Sequence, residues 1–160
     1  MASNRHLARI VALQTLYEYD FRLQANDADV SVDELIERHL GRYRKTIDDI
    51  DFAEELIRGT IDQLTELDGI LQPLAPDWPL PQISRIDHAI LRIALYELLE
   101  MKQNDIPPKV TINEAVELAK SFGSENSSKF VNGVLGSAWR QADPEAAGKS
   151  KSAPKKTEEK

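Results

Sequence analysis

Residues 84–101, SRIDHAILRIALYELLEM, constrain the fold more than any other stretch. Ile86, Ala89, Ile90, Ile93, Ala94 and Leu98 share one face of a helix, and Leu91, Leu95, Tyr96 and Leu99 fill the others. A helix that is apolar on most sides is buried on most sides. The remaining elements must therefore be built around this one. Elsewhere, Val and Ile also sit mostly at helical spacing, and no alternating strand pattern stands out. The fold class that follows is all-α.

Five further helices are expected. The first is capped by Ser3 or Asn4 and gathers Leu7, Ile10, Val11, Gln14, Tyr17 and Phe21 near one side, with Arg5, Arg9 and Glu18 on the other. Ala25 to Val30 is a loop by composition. Ser31 and Glu34 have capping-box spacing and open a second helix through about Lys45. A third runs from about Asp51 to Leu71, with Phe52, Leu56, Thr60, Leu64, Leu67 and Leu71 in phase. The run PLAPDWPLP, Pro73 to Pro81, excludes regular helix. Past Pro107-Pro108, Thr111 and Glu114 form another capping box, and Ile112, Ala115, Val116, Ala119 and Phe122 line one face. Gly123 is expected to end that helix in left-handed geometry. The last helix runs from about Ser127 to Gln141. Residues 1–142 make one domain. Residues 143–160 form a Lys-rich tail without a large apolar side chain, expected to be disordered.

The sequence argues against catalysis and cofactors. It has no cysteine, no glycine-rich phosphate loop and no His-Glu-x-x-His motif. His6, His39 and His88 are far apart. Asp87 and His88 are neighbours, but successive helical residues point about 100° apart, a poor geometry for a dyad. Asp48, Asp49 and Asp51 lack the spacing of a calcium loop and suit a helix start. No metal, cofactor or enzymatic activity is expected. Arg5, His6 and Arg9 interrupt any signal peptide. The most apolar run, Ala89 to Leu99, is broken by Arg92 and Glu97. No membrane association and a cytoplasmic location are expected.

Charge is unevenly placed. The net charge is −7. Residues 46–148 hold 8 Lys and Arg against 18 Asp and Glu, whereas residues 149–160 hold 5 Lys against 2 Glu. Both ends are locally basic and the middle is acidic. Local potential near the phosphates governs nucleic-acid affinity, and an acidic body suits a basic protein partner or simple solubility. Ser124 to Ser128 is a polar loop followed at once by Lys129-Phe130. Such a loop, cation and ring can hold a phosphate and stack a base. The same pattern also fits a helical hairpin with Phe130 in the core.

Several motifs occur in a specific order: Ala8-Arg9 to Tyr17, fitting ARxxALQTLY; IDHAILRIALYELL, Ile86 to Leu99, after a linker with Trp78; IPPKVTINEAVELAKSFG, Ile106 to Gly123; and SSKFVNGVL, Ser127 to Leu135. Over roughly residues 4 to 140 the chain resembles the NusB family of bacterial transcription antitermination factors. The resemblance implies a compact bundle of about six to seven helices in two packed subdomains. It implies binding of boxA RNA in rRNA leader transcripts jointly with the ribosomal protein NusE, within an RNA polymerase antitermination complex. The RNA surface it implies comprises Arg5, His6, Arg9, Asn126, Ser127, Lys129 and Phe130, with Tyr17 as a further contributor. The NusE surface it implies includes Asp87. One departure from the family is a thinned N-terminal arginine cluster, with Leu7 between the basic residues. Of two other classes, the RNA-binding module of an rRNA methyltransferase is not expected, as no catalytic domain follows in the sequence, and a protein-interaction module with little RNA binding of its own is the alternative.

Overall fold

A computed structural model of the chain describes residues 2–101 and 106–143. Seven α-helices follow in order: α1 Ala2–Gln24, α2 Val32–Gly41, α3 Ile50–Asp62, α4 Leu64–Leu74, α5 Arg85–Glu100, α6 Pro108–Phe122 and α7 Ser127–Ala142. A short 3-10 turn, Leu80–Gln82, precedes α5. No strand occurs among the described residues. The expected tail lies, beyond Asp143, outside them.

The apolar helix is central, as its composition requires. α5 packs against α1, α3, α4, α6 and α7. Every residue from Ala89 to Leu98 is buried. α1, α2 and α3 pack on one another, α6 pairs with α7, and α4 meets α7. These are two helical groups sharing α5, and one apolar cluster runs through both.

Local chemistry sets several boundaries. The Ser31 hydroxyl accepts from the Glu34 N–H at 3.2 Å, as its spacing predicts. Asp49 caps α3, accepting from Phe52 N–H at 3.0 Å, which accounts for one member of the acidic cluster. Ser84 caps α5 through Asp87 N–H at 3.1 Å.

Six expectations are corrected. α1 begins at Ala2, upstream of both expected caps. Its buried face is Ala8, Val11, Ala12, Thr15 and Leu16, so Gln14, Tyr17 and Phe21 face solvent. Small and aliphatic residues let α1 approach three helices closely, and the aromatics are turned out. The expected third helix bends at Gln63 (φ −117°, ψ 25°) into α3 and α4. The apolar spacing runs through the bend unchanged and gives no sign of it. α4 continues through Pro73, where a proline near a helix end removes only one backbone bond. α6 opens at Pro108, since proline at the first helical position is pre-organised for it. Thr111 is therefore inside the helix, not its cap. Gly123 has φ −95°, not a left-handed value. Glycine fits there for space: an added Cβ would stand 2.5 Å from Ser127 Oγ and 2.8 Å from the Ala119 carbonyl oxygen.

α3 and α5 pack tightly at Gly59 of α3, where an added Cβ would stand 2.0 Å from Cζ of Tyr96 on α5. Gly59→Ala should lower stability by about 1–3 kcal/mol, as overpacking does, although alanine is the better helix former. Tyr96→Leu in the same chain should recover part of the loss. Urea unfolding of the single and double variants measures this; a stabilised Gly59→Ala protein would contradict the packing.

Candidate nucleic-acid and partner interface

The N-terminal cations are directed inward or held by carboxylates. Arg9 is 3% exposed. Its Nε donates to Glu97 Oε1 at 2.9 Å, and its Nη2 bonds Glu97 Oε2 as the second arm of a bidentate pair. Thr111 Oγ1 donates to the same Oε2 at 3.2 Å. The Phe52 ring lies 5.3 Å from the Arg9 guanidinium. The expectation that Arg9 meets phosphates is corrected on this geometry, because the side chain is enclosed by α3, α5 and α6. Arg5 is partly exposed, donates to Asp49 Oδ2 at 3.0 Å and also lies over the Phe52 ring, 4.5 Å from its centre. Asp49 is held below the usual carboxylate range by the Phe52 N–H, which outweighs its burial, and by Arg5. His6 Nδ1 lies 2.7 Å from Glu114 Oε1. Arg5 and His6 remain at the surface with acidic neighbours.

The polar loop lies beside the start of α5. Between them is a cleft of about 490 Å³, lined on one side by Trp78, Ile83 and Asp87 and on the other by Asn126, Lys129 and Phe130. Asn126 and Lys129 are exposed. Phe130 is half-buried: it packs on the core and also lines the cleft. Ser127 is buried, its Oγ accepting from Ser124 N–H at 2.9 Å. Its hydroxyl closes the loop. Asp87 is also buried, and its Oδ1 has no hydrogen-bond partner among the described residues. Asp87, which the family resemblance places on the NusE surface, shares this cleft with the loop. Trp78, 52% exposed, was not among the expected site residues. An aromatic in a proline-rich linker that cannot form a helix was the available signal.

Comparison with known proteins decides the family. The NusB family model matches residues 6–140. The chain belongs to the NusB family. It is 46% identical over 136 residues to the transcription antitermination protein NusB of Chloroflexus aggregans, covering 85% of this chain and 87% of that protein. It is 45% identical to the NusB of Roseiflexus castenholzii, covering 85% and 92%. Among solved structures it resembles NusB of T. maritima, with TM-score 0.76, 35% identity, and coverage of 90% and 96%. It also resembles a chain in a crystal structure of antitermination factors NusB and NusE in complex with dsRNA, with TM-score 0.74, 25% identity, and coverage of 88% and 99%.

The NusB fold of this chain presents one further polar–aromatic area. Tyr17 and Phe21 are exposed on α1, and the Arg85 guanidinium lies 5.9 and 5.4 Å from their ring centres. Arg85 also donates to Asp20 at 3.0 Å. Arg92 bonds Asp68 at 2.9 and 2.6 Å, and His88 Nε2 lies 2.7 Å from the same carboxylate. Burial raises the Asp68 pKa, but the bonds from His88 and Arg92 outweigh it and bring the value to about 2. His88 is thus paired with Asp68 rather than Asp87. Asp20, Asp68, Arg85, His88 and Arg92 line a charged cavity that shares Ile83 with the loop cleft. Among the described residues no group of three His, Asp or Glu could hold a metal, and no helix is long and apolar enough to cross a membrane.

Arg9→Met should destabilise the NusB fold by about 3–5 kcal/mol, because Glu97 is left buried and unpaired. Arg9→Met with Glu97→Leu should recover most of that loss. Denaturant unfolding of the three proteins tests this; an Arg9→Met protein of unchanged stability would contradict a structural role.

Proposed function

We propose that this chain is a transcription antitermination factor. In this reading it binds single-stranded boxA RNA of rRNA leader transcripts together with NusE and helps RNA polymerase read through terminators during rRNA synthesis. The observation that carries the reading is the loop cleft, in which a cation, amide groups and aromatic rings meet an unpartnered carboxylate. Family membership supports it, as do relatives named for antitermination. A likeness to a chain in a structure of NusB and NusE in complex with dsRNA supports NusE and RNA as the partners.

The chemistry of the cleft divides into two tasks. Lys129 supplies a phosphate contact, Asn126 offers a donor and an acceptor to a base edge, and the rings of Phe130 and Trp78 offer stacking surfaces. These are single-strand contacts, which is why boxA is read here as unpaired. Asp87 supplies the other task. A buried carboxylate oxygen without a partner is costly, and a cationic side chain of NusE would satisfy it. The acidic body, with 18 acids to 8 bases over residues 46–148, suits a basic partner. Arg5, His6 and Tyr17 on α1 are further RNA contacts in this reading, outside the loop cleft. Ser127 acts by shaping the loop. The role is binding, with no chemical step.

Lys129→Ala should weaken boxA binding and leave melting nearly unchanged, within about 0.5 kcal/mol, as exposed substitutions do. Phe130→Ala should lower both stability and RNA affinity, since the ring is shared between core and cleft. Fluorescence anisotropy with boxA RNA and thermal unfolding on the same proteins provide the test. A folded Lys129→Ala protein with full RNA affinity would contradict the reading.

A further inference from the structure

We infer that a second groove, between α6 and α7, carries the RNA onward from Lys129, with Lys109 and Arg140 taking phosphates and Trp139 stacking a base. The inference rests on the RNA-binding reading above and assigns a further site to it. The groove has a volume of about 410 Å³. Lys109 and Asn113 stand on its α6 wall, and Asn132, Trp139 and Arg140 on its α7 wall.

Four observations point to a nucleic-acid strand. First, the cations are available. Lys109 and Arg140 are exposed, and neither has an ion pair among the described residues; Arg140 donates only to Ser137 Oγ, at 3.3 Å. Arg5, Arg9, Arg85 and Arg92, by contrast, each meet a carboxylate. Second, Trp139 is half-buried in the groove wall but is not among the side chains packed on the core. A large ring held at a groove without a core role is a stacking platform. Third, the floor is open. Gly133 and Gly136 line it, and a Cβ added at Gly133 would have no neighbour within 4 Å. Fourth, the groove continues the loop cleft. Lys129, Asn132, Gly136 and Arg140 recur at three or four residues and so share one face of α7. At 1.5 Å per residue, that face runs about 16 Å from Lys129 to Arg140.

The composition also favours RNA over an acidic peptide. Two cations alone would serve either. The exposed amides of Asn113 and Asn132 each present a donor and an acceptor, which match base edges. A ring beside them matches a base plane.

The test uses the full chain, a labelled boxA RNA and anisotropy across a salt series. Lys109→Ala with Arg140→Ala should lower the salt slope by about two units, one per phosphate contact. Its melting temperature should match that of the unsubstituted chain. Trp139→Ala should weaken binding by about tenfold, within the range of a single base–aromatic stack, while Trp139→Phe retains most affinity. On an RNA shortened until it spans only the loop cleft, the double variant and the unsubstituted chain should bind alike. An unchanged slope in the folded double variant, with Lys129→Ala still weakening binding, overturns the groove inference alone. A double variant that loses NusE but keeps its RNA slope assigns the groove to protein and also overturns it. If the unsubstituted chain binds no boxA RNA with or without NusE, the RNA-binding reading fails and the groove assignment falls with it.

Discussion

The buried ion pair between Arg9 and Glu97 ties α1 to the central helix α5, and Asp20 against Arg92 makes a second such tie further along the same two helices. Arg9 comes from α1 and Glu97 from α5; Thr111 of α6 adds a hydrogen bond and Phe52 of α3 a ring. Four helices therefore meet at one charge pair with almost no solvent. Such pairs yield little net stability, because desolvating both ions offsets their attraction. They are demanding in geometry, however. A guanidinium and a carboxylate must meet edge to edge, and any slide of α1 along α5 leaves a charge unpaired. The apolar surface of α5 drives the bundle together, and this pair fixes how α1 lies on it. The small residues Ala8 and Ala12 let α1 come close enough for the contact.

That requirement redistributes the positive charge. Of the three basic residues near the N-terminus, Arg9 is enclosed, and Arg5 and His6 lie against Asp49 and Glu114. Exposed cations without such neighbours stand elsewhere: Lys129, Lys109 and Arg140 on α6 and α7, and Arg42 and Lys45 just beyond α2. Near the loop cleft, the C-terminal helical hairpin therefore offers cations to phosphates that α1 does not. Asp87 brings an opposite charge to the edge of the same hairpin. A strand of RNA and a basic protein would thus meet on adjoining parts of one face.

The fold was legible where a local rule and the tertiary structure agree. The all-round apolar pattern of residues 84–101 gave a buried central helix, and Ser31 with Glu34 gave a real cap. It was illegible where two local rules compete or where distant residues decide. Thr111 has perfect capping-box spacing, but Pro108 starts the helix a turn earlier and Glu97 recruits the hydroxyl. Arg9 has the sequence context of a surface cation, and only a residue 88 positions away draws it inside. The bend at Gln63 is silent because the apolar spacing is the same on both sides of it. For the candidate site, the loop residues were identifiable from polarity and the adjacent Lys-Phe pair. Their proximity to Asp87 and Trp78 was not, since it depends on how the linker before α5 folds back over α7.

The central claim is that RNA and a basic protein partner bind adjoining parts of one face and reinforce each other. Coupling between two ligands must be reciprocal: each changes the affinity of the other by the same factor. The most direct measurement is a pair of titrations, boxA RNA with and without saturating NusE, and NusE with and without saturating RNA. The account predicts tighter binding in both, by equal factors, and a smaller factor when Asp87 is changed to Asn. Equal affinities with and without the second ligand would contradict it and leave two independent sites.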